Sequence, residues 1–258
     1  MKILGIYFSP TGGTRKVVEH VCAVLAERMS TTYRLQSYTL PTERERFVSI
    51  TNDDFVVWGS PVYAGRIPNK SVEFVRQLLV GKGNRGVAVA VYGGRHYDNA
   101  LAEMRDLMLQ GGITPVAATA VVARHAFAPQ ELSPGRPNVV DMQRLSAWCH
   151  QVDFSSDTVV QVPGSTDLGY YRPLRADGQP ANFLKAKPVI EVSLCNGCGI
   201  CVSRCPMGSI VMESGRPQFL STCIKCQACI LSCPKQALRF LDPDFLSHIL
   251  MLRSVIGD

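Results

Sequence analysis

Eight of the chain's ten cysteines fall between Cys195 and Cys233, in two runs: Cys195, Cys198, Cys201 and Cys205-Pro206, then Cys223, Cys226, Cys229 and Cys233-Pro234. Each run reads C-x2-C-x2-C-x3-C-P, and each cysteine of the second stands 28 residues after its counterpart. Ile210 and Leu238 keep the same offset, so the segment is an internal duplication whose halves should pack about a pseudo-twofold axis. Zinc takes four ligands in a tetrahedron, usually from two separated C-x2-4-C pairs, and three cysteines in tight succession fit it poorly. They suit a cubane iron-sulfur cluster, whose irons each take an outer thiolate, three from one short stretch and a fourth from elsewhere.

Residues 189–240 resemble the two-cluster bacterial ferredoxins, in which the fourth cysteine of each run ligates the other cluster. The resemblance implies two [4Fe-4S] clusters, one on Cys195, Cys198, Cys201 and Cys233, the other on Cys223, Cys226, Cys229 and Cys205. Charge is the departure: Arg204, Arg216, Lys225, Lys235 and Arg239 face only Glu191 and Glu213, where such ferredoxins are commonly acidic. A cationic face of this kind suits an acidic redox partner, an acidic ferredoxin or a reductase, and encounter rates would fall with salt.

Upstream, strand-like and helix-like patterns alternate. Continuous apolar runs at residues 2–8, 33–39, 54–58, 86–92 and 115–123 read as strands; residues 14–29, 69–79, 97–109 and 139–154 carry helical periodicity. Such alternation gives a parallel sheet covered on both faces, with ligands beyond the carboxyl ends of its strands. Three loops there could do chemistry. Ser9, Pro10, Thr11, Gly12, Gly13 and Thr14 join the first strand to its helix, and free N–H groups at a helix N-terminus beside hydroxyls make a phosphate site. The lysine of a Walker A loop is absent, so a monophosphate suits it better than a Mg-nucleotide. The second loop runs Gly59, Ser60, Pro61, Val62, Tyr63, Ala64, Gly65, Arg66, Ile67, Pro68; the third runs Tyr92, Gly93, Gly94, Arg95, His96, Tyr97, Asp98, Asn99.

The pattern [S/T]-x-T-G-x-T after the first strand looks like the phosphate loop with which flavodoxins hold FMN, and flavodoxins build their isoalloxazine site from loops two and three. That resemblance implies FMN bound by Ser9, Thr11, Gly12, Gly13, Thr14, Ser60, Pro61, Val62, Tyr63, Ala64, Gly65, Arg66, Tyr92, Gly93, Gly94, Arg95, Tyr97 and Asp98. Tyr63 and Tyr97 would pack on the ring, while Trp58 belongs to the core. Through these loops, Arg124-His125-Ala126-Phe127, Gly135-Arg136-Pro137, Val162-Pro163-Gly164 and the cysteine runs, nearly the whole chain resembles the flavodoxin-ferredoxin fusion proteins of anaerobes, departing at Gly94, where relatives often carry Asn. The implied fold class is α/β, a flavodoxin-like doubly wound five-stranded parallel sheet followed by a small α+β two-cluster ferredoxin-like domain. The implied activity is electron transfer between the two [4Fe-4S] clusters and FMN, with an FMN-dependent reductase of a small molecule as the alternative.

The expected divisions are 1–154 for the flavodoxin-like part, 155–188 for a Pro/Gly-rich strap, 189–240 for the ferredoxin-like part and 241–258 for a helical tail. Four prolines and three glycines interrupt the strap, yet Val162, Leu168, Tyr170, Tyr171, Leu174, Phe183 and Leu184 give it an apolar side to pack. Cys22 and Cys149 read as core thiols. His20, His150 and His248 read as helix-surface residues, whereas His96 and His125 follow strands whose ends face the flavin and could donate a proton or hydrogen bond. Arg66, Arg95 and His96 outnumber Asp98, an excess that would favour anionic reduced flavin and raise its potential.

Composition narrows the classes further. With 46% hydrophobic and 19% charged residues in 258, the chain can bury a core. A net charge of +6 without a long Lys/Arg run argues against nucleic acid, and no apolar run approaches membrane-spanning length. With no secretory leader pattern at the start, the expected compartment is the reducing cytoplasm, where thiols bind metal in place of forming a disulfide framework.

Overall fold

In a computed structural model, residues 1–127, 132–167, 169–220 and 222–256 are described; Leu168, assigned above to the strap's apolar side, lies outside them. The first strand, β1 (Lys2–Tyr7), leads into α1 (Gly13–Arg28), then β2 (Tyr33–Ser37), α2 (Pro41–Glu45), β3 (Asp54–Pro61), α3 (Val72–Leu78), β4 (Asn84–Tyr92), α4 (Ala100–Gln110), β5 (Ile113–Val122) and α5 (Val139–Gln151). The five strands form one sheet in the order β2-β1-β3-β4-β5, every pairing parallel. That is the flavodoxin-like doubly wound order, with its switch point at the β1/β3 boundary.

Alternation along each strand sends side chains to two cores. Ile3, Tyr7, Phe55, Val57, Val87 and Val89 meet α1 and α5 through Val18, Cys22, Leu145 and Cys149. Leu4, Ile6, Val56, Trp58, Ala88 and Ala90 meet α3 and α4 through Val75, Met104 and Met108. Trp58 is fully buried, as its run predicts, and its indole N–H donates to the Tyr38 hydroxyl at 3.1 Å. Gly59 sets how closely α1 lies on the sheet: a Cβ there would come within 2.1 Å of a Val18 methyl. The phosphate-loop helix is thereby held against the strand ends.

Among the departures from the sequence expectation, two move a boundary beside the site and one adds an element. Ser60 and Pro61 still pair with Ala90 and Val91, so β3 runs past Gly59 and the second loop opens only after Pro61. The fourth helix begins at Ala100, not residue 97, because Asp98 has a positive φ of 40°. The short α2 carries no periodic signal; Pro41 starts it and Glu43 accepts from the Leu40 N–H at 2.8 Å.

The cysteine-rich part holds β6 (Val189–Ile190), α6 (Ile200–Ser203), β7 (Ile210–Glu213), β8 (Arg216–Phe219), α7 (Ala228–Leu231) and β9 (Leu238–Arg239), with β6 antiparallel to β9 and β7 to β8. Its duplication extends to the backbone. Gly197, Gly199 and Gly208 take positive φ, and so do Lys225, Gln227 and Gln236, 28 residues on.

Segment 155–188 packs along the sheet domain. The Val160 N–H reaches Pro115 O at 2.9 Å, the Ser165 N–H reaches Asn99 at 3.1 Å, and the Tyr170 hydroxyl donates to Ile67 O at 3.1 Å. Beyond it, α8 (Pro243–Ile256) buries Phe245 among Phe127, Phe183 and Phe240, joining sheet domain, strap and cysteine-rich part in one apolar cluster. His248 departs from its expected place on the helix surface: it is buried, and its Nδ1–H donates to Leu174 O at 2.8 Å. His20 is half-buried, its Nε2 2.8 Å from the Ser146 hydroxyl.

Candidate functional site

At the carboxyl end of the sheet lies a cavity of about 640 Å³, within the usual range for small-molecule sites. Its floor is the β1–α1 loop, contributed by Ser9, Pro10, Thr11, Gly13 and Thr14. Gly12, at φ 89°, caps the 16-residue α1 from outside the lining. Two hydroxyls pin the loop: the Ser9 N–H donates to Thr39 Oγ1, beyond β2, at 2.8 Å, and Ser9 Oγ accepts from the Arg15 N–H at 3.0 Å. The N–H groups of Thr11, Gly13 and Thr14 have no acceptor among the described residues. Three orphan donors at the positive end of a helix, with no acid in its first turn, fit a phosphate.

Pro61, Val62, Tyr63, Ala64 and Gly65 form one wall. Tyr63 and Arg66 exchange backbone hydrogen bonds at 2.8 and 3.2 Å, closing a two-residue turn with Ala64 and Gly65 both at positive φ. Arg66 itself turns away from the cavity. Its Nη2 donates to Glu103 Oε1 at 2.8 Å, while Glu103 Oε2 accepts the Ile67 N–H at 2.8 Å, so a buried carboxylate of α4 clamps the turn. Ser60 is fully buried, its hydroxyl donating to Pro61 O at 3.2 Å.

Tyr92, Gly93, Arg95 and His96 supply the opposite wall. Arg95 is ion-paired with Asp98 and its guanidinium lies 3.9 Å from the centre of the Tyr171 ring. Asp98 packs on Gly65, where a Cβ would come within 2.3 Å of its carboxylate, and the Asn99 N–H donates to Gly65 O at 2.9 Å; the second and third loops are thus fastened together. Tyr97 lies behind the lining, stacked under His96 at 4.8 Å and edge-on to Tyr92 at 5.7 Å. Gly94 lies outside it too, with φ 100° and the Ser133 hydroxyl where a Cβ would go.

Residues from three further parts of the chain complete the lining, among them the Arg124-His125-Ala126-Phe127 segment that the sequence singled out. Ala123, Arg124, His125, Ala126 and Phe127 follow β5; Tyr170, Tyr171, Phe183 and Leu184 come from the strap; His248 and Leu252 come from α8. His125 Nδ1 accepts the Phe127 N–H at 3.0 Å, which leaves the ring proton on Nε2. Burial, with the charges of His248 and Arg95, lowers the His125 pKa to about 4, and burial lowers that of His248 as well. Both rings are therefore neutral near pH 7.

The last wall is Thr222, Cys223, Ile224 and Lys225, the start of the second cysteine run. Burial pushes the Tyr63 hydroxyl well above its ordinary pKa, and the neighbouring Cys226 and Cys223 thiols push the same way. Lys225 Nζ donates to Leu184 O and, at 3.1 Å, to Cys223 O, tying strap to cysteine run.

Cys205, Cys223, Cys226 and Cys229 line one small cavity together, and Cys201 feels the charges of Cys198 and Cys233. The cavity joins Cys205, the fourth cysteine of the first run, to the first three of the second. Cys205 Sγ accepts the Ser209 N–H at 3.3 Å and Cys233 Sγ accepts the Ala237 N–H at 3.4 Å. Such N–H···S bonds, repeated across the duplication, fit thiolate ligands of an iron-sulfur cluster and are among the contacts that set its potential.

Several solved structures, flavodoxins among them, align with about the first three-fifths of the chain. Oxidised flavodoxin 2 from Bacillus cereus matches at 14% identity and TM-score 0.44, covering 58% of this chain and 96% of its own. A flavodoxin from the domain Archaea matches at 18% and 0.40, covering 58% and 94%. Rubredoxin oxygen:oxidoreductase from the anaerobe Desulfovibrio gigas matches at 15% and 0.42, covering 58% of this chain and 35% of its own. No curated protein matches the chain. Residues 194–238 match the family described as a 4Fe-4S dicluster domain, and the chain joins that domain to a parallel sheet of flavodoxin-like strand order.

Proposed function

We propose that the chain is an iron-sulfur flavoprotein that moves electrons between two [4Fe-4S] clusters and FMN, linking one-electron to two-electron redox partners. The observation that carries this is the shared wall: one cavity is bounded by the β1–α1 anion loop and by Cys223 of the cysteine-rich part. In this reading residues 1–154, 155–188, 189–240 and 241–258 are flavin part, strap, cluster part and tail, in a cytoplasmic setting. Thr11, Gly13 and Thr14 hold the FMN phosphate through backbone N–H groups. Tyr63 and Tyr171 wall the ring, and the Glu103–Arg66 clamp keeps the Tyr63 turn in place. Cys195, Cys198, Cys201 and Cys233 hold one cluster; Cys223, Cys226, Cys229 and Cys205 hold the other. FMN supplies exchange of one or two electrons and each cluster exchange of one.

The shared wall favours the carrier over a reductase of small molecules: Thr222, Cys223, Ile224 and Lys225 of the cysteine-rich part line the cavity itself, beside residues of the strap and α8. The test is an anaerobic reductive titration followed by visible absorbance, with iron, sulfide and FMN assayed on the same sample. Uptake of two electrons by one flavin and one by each of two clusters is the expected result. A zinc-containing chain taking up two electrons or fewer would reject it.

A further inference from the structure

The two cysteine runs differ in what they face. Thr222–Lys225 of the second run borders the flavin cavity, and no cysteine of the first run does. Cys226 and Cys229 are buried, while Cys198 alone among the ten cysteines is exposed. On either side of Cys198 in the sequence, apolar side chains stand in solvent, Val192 at 60%, Leu194 at 49% and Ile200 at 36%. An apolar centre of this kind is what protein interfaces bury, provided the rim supplies polar or charged groups.

The rim here is cationic. Arg204 ends α6, its N–H on Ile200 O at 3.1 Å, and Arg216 is anchored on Cys195 O. Lys235 comes two residues after Cys233, and Arg239 of β9 pairs with Glu191 at 3.0 Å. Arg204 and Lys235 are exposed and have no ion pair among the described residues. Glu213, opposite Arg216 in the β7–β8 register, is the other acid of residues 189–240. The patch thus carries excess positive charge around the one exposed cluster-ligand candidate.

Resting on the electron-transfer reading, we infer that the Val192–Arg204 face is the docking port for a small acidic one-electron carrier protein. The run facing the cavity is then the inner station and the run containing Cys198 the outer one. One electron leaves the carrier's reduced metal centre and arrives at the centre held by Cys195, Cys198, Cys201 and Cys233, or takes the reverse course; no bond or proton changes place.

The test uses the intact anaerobic chain and, as probe, a purified acidic [4Fe-4S] ferredoxin in both redox states. Binding of the oxidised probe is measured by titration calorimetry, and electron transfer from the reduced probe by stopped flow, at low and high salt. Arg204→Glu combined with Lys235→Glu should weaken binding at least about tenfold and flatten the salt dependence. Reduction by dithionite, which needs no docking, should be unchanged in the same variant. Lys82→Glu, an exposed cation just before β4 at the end of the sheet away from the cavity, is the control and should bind like the parent. Equal affinity of the double variant and the parent, equal weakening by Lys82→Glu, or no binding of the probe to the parent would each overturn the port. Absence of flavin or clusters in the dithionite titration would instead overturn the electron-transfer reading.

Discussion

Glu103 is where a single substitution reads out the construction of the site. Its side chain is 7% exposed and that of Arg66 is 13%, with 2.8 Å between Nη2 and Oε1. At an effective dielectric of about 20, unit charges about 4 Å apart attract by about 4 kcal/mol. Desolvating both groups cancels part of that, so the net coupling should be about 2–3 kcal/mol, against about 0–1 for an exposed pair. Glu103→Gln keeps the volume and one oxygen for the Ile67 N–H but removes the charge opposite Arg66. A double-mutant cycle with Arg66→Gln, read by anaerobic urea unfolding, isolates the pair. The same variants are titrated with FMN, because the clamp holds the Tyr63–Arg66 turn that walls the cavity. Glu103→Gln should weaken FMN binding about tenfold, the equivalent of about 1.4 kcal/mol. A coupling energy below about 0.5 kcal/mol would refute the argument that this is a shielded clamp. Full coupling with unchanged FMN affinity would refute the argument that the clamp serves the cavity.

Other consequences can be measured separately. His125 has its pKa lowered from 6.5 to about 4, so as pH falls the unfolded chain takes up the proton first. Its contribution to stability is present above pH 6.5 and lost toward pH 4. Between pH 7 and 5 the parent should lose about 2 kcal/mol more than His125→Gln; equal losses would contradict a buried neutral imidazole. Burial raises the Cys22 thiol pKa and pushes Cys149 up to about 12, so iodoacetamide at pH 8 should modify both only after unfolding, with peptide mapping as the readout. Gln236 holds φ 50° where its counterpart Gly208 holds 60°. Gln236→Gly should therefore stabilise the chain by about 0.5–1 kcal/mol and Gly208→Ala destabilise it by about 1, and chemical denaturation that gave the opposite order would overturn the strain argument.

What the sequence made legible was local. Ligand spacing is a property of a dozen consecutive residues, so the cysteine runs could be read without knowing the fold. Strands buried on both faces, such as residues 86–92, appear as unbroken apolar runs for the same reason. The β1–α1 loop was readable because a helix N-terminus makes its donors locally. Four residues of the cavity wall show what was not: Phe127, Phe183, His248 and Leu252 come from the segment after β5, the strap and the tail, and only tertiary packing brings them together. His248 was read as a surface residue from its polar type, although Phe245 and Leu252, three before and four after it, place it on the buried side of α8. Glu103 did leave a signal, an acid on the stripe Ala100, Met104 and Leu107 of α4. A carboxylate in such a stripe needs a partner, but naming Arg66 required the turn that brings it there. The five residues of α2 are too few for any period to show.

Those pairings also change why the flavin potential should respond to Arg66 and Arg95. Counting charges along the loops gives a cationic site that stabilises anionic reduced flavin. In the fold, Arg66 is neutralised by Glu103 and Arg95 by Asp98, so neither presents a net charge. Arg66→Gln should still lower the two-electron midpoint, because it leaves the Glu103 carboxylate unpaired behind the turn. The sign therefore agrees with the simple count while the cause differs, and one further variant separates them. Removing both charges, Arg66→Gln with Glu103→Gln, should return the midpoint close to that of the parent, whereas a site tuned by bare cations would keep the lowered value. Spectroelectrochemistry of the three chains decides between a potential set by isolated residues and one set by how completely the fold pairs them.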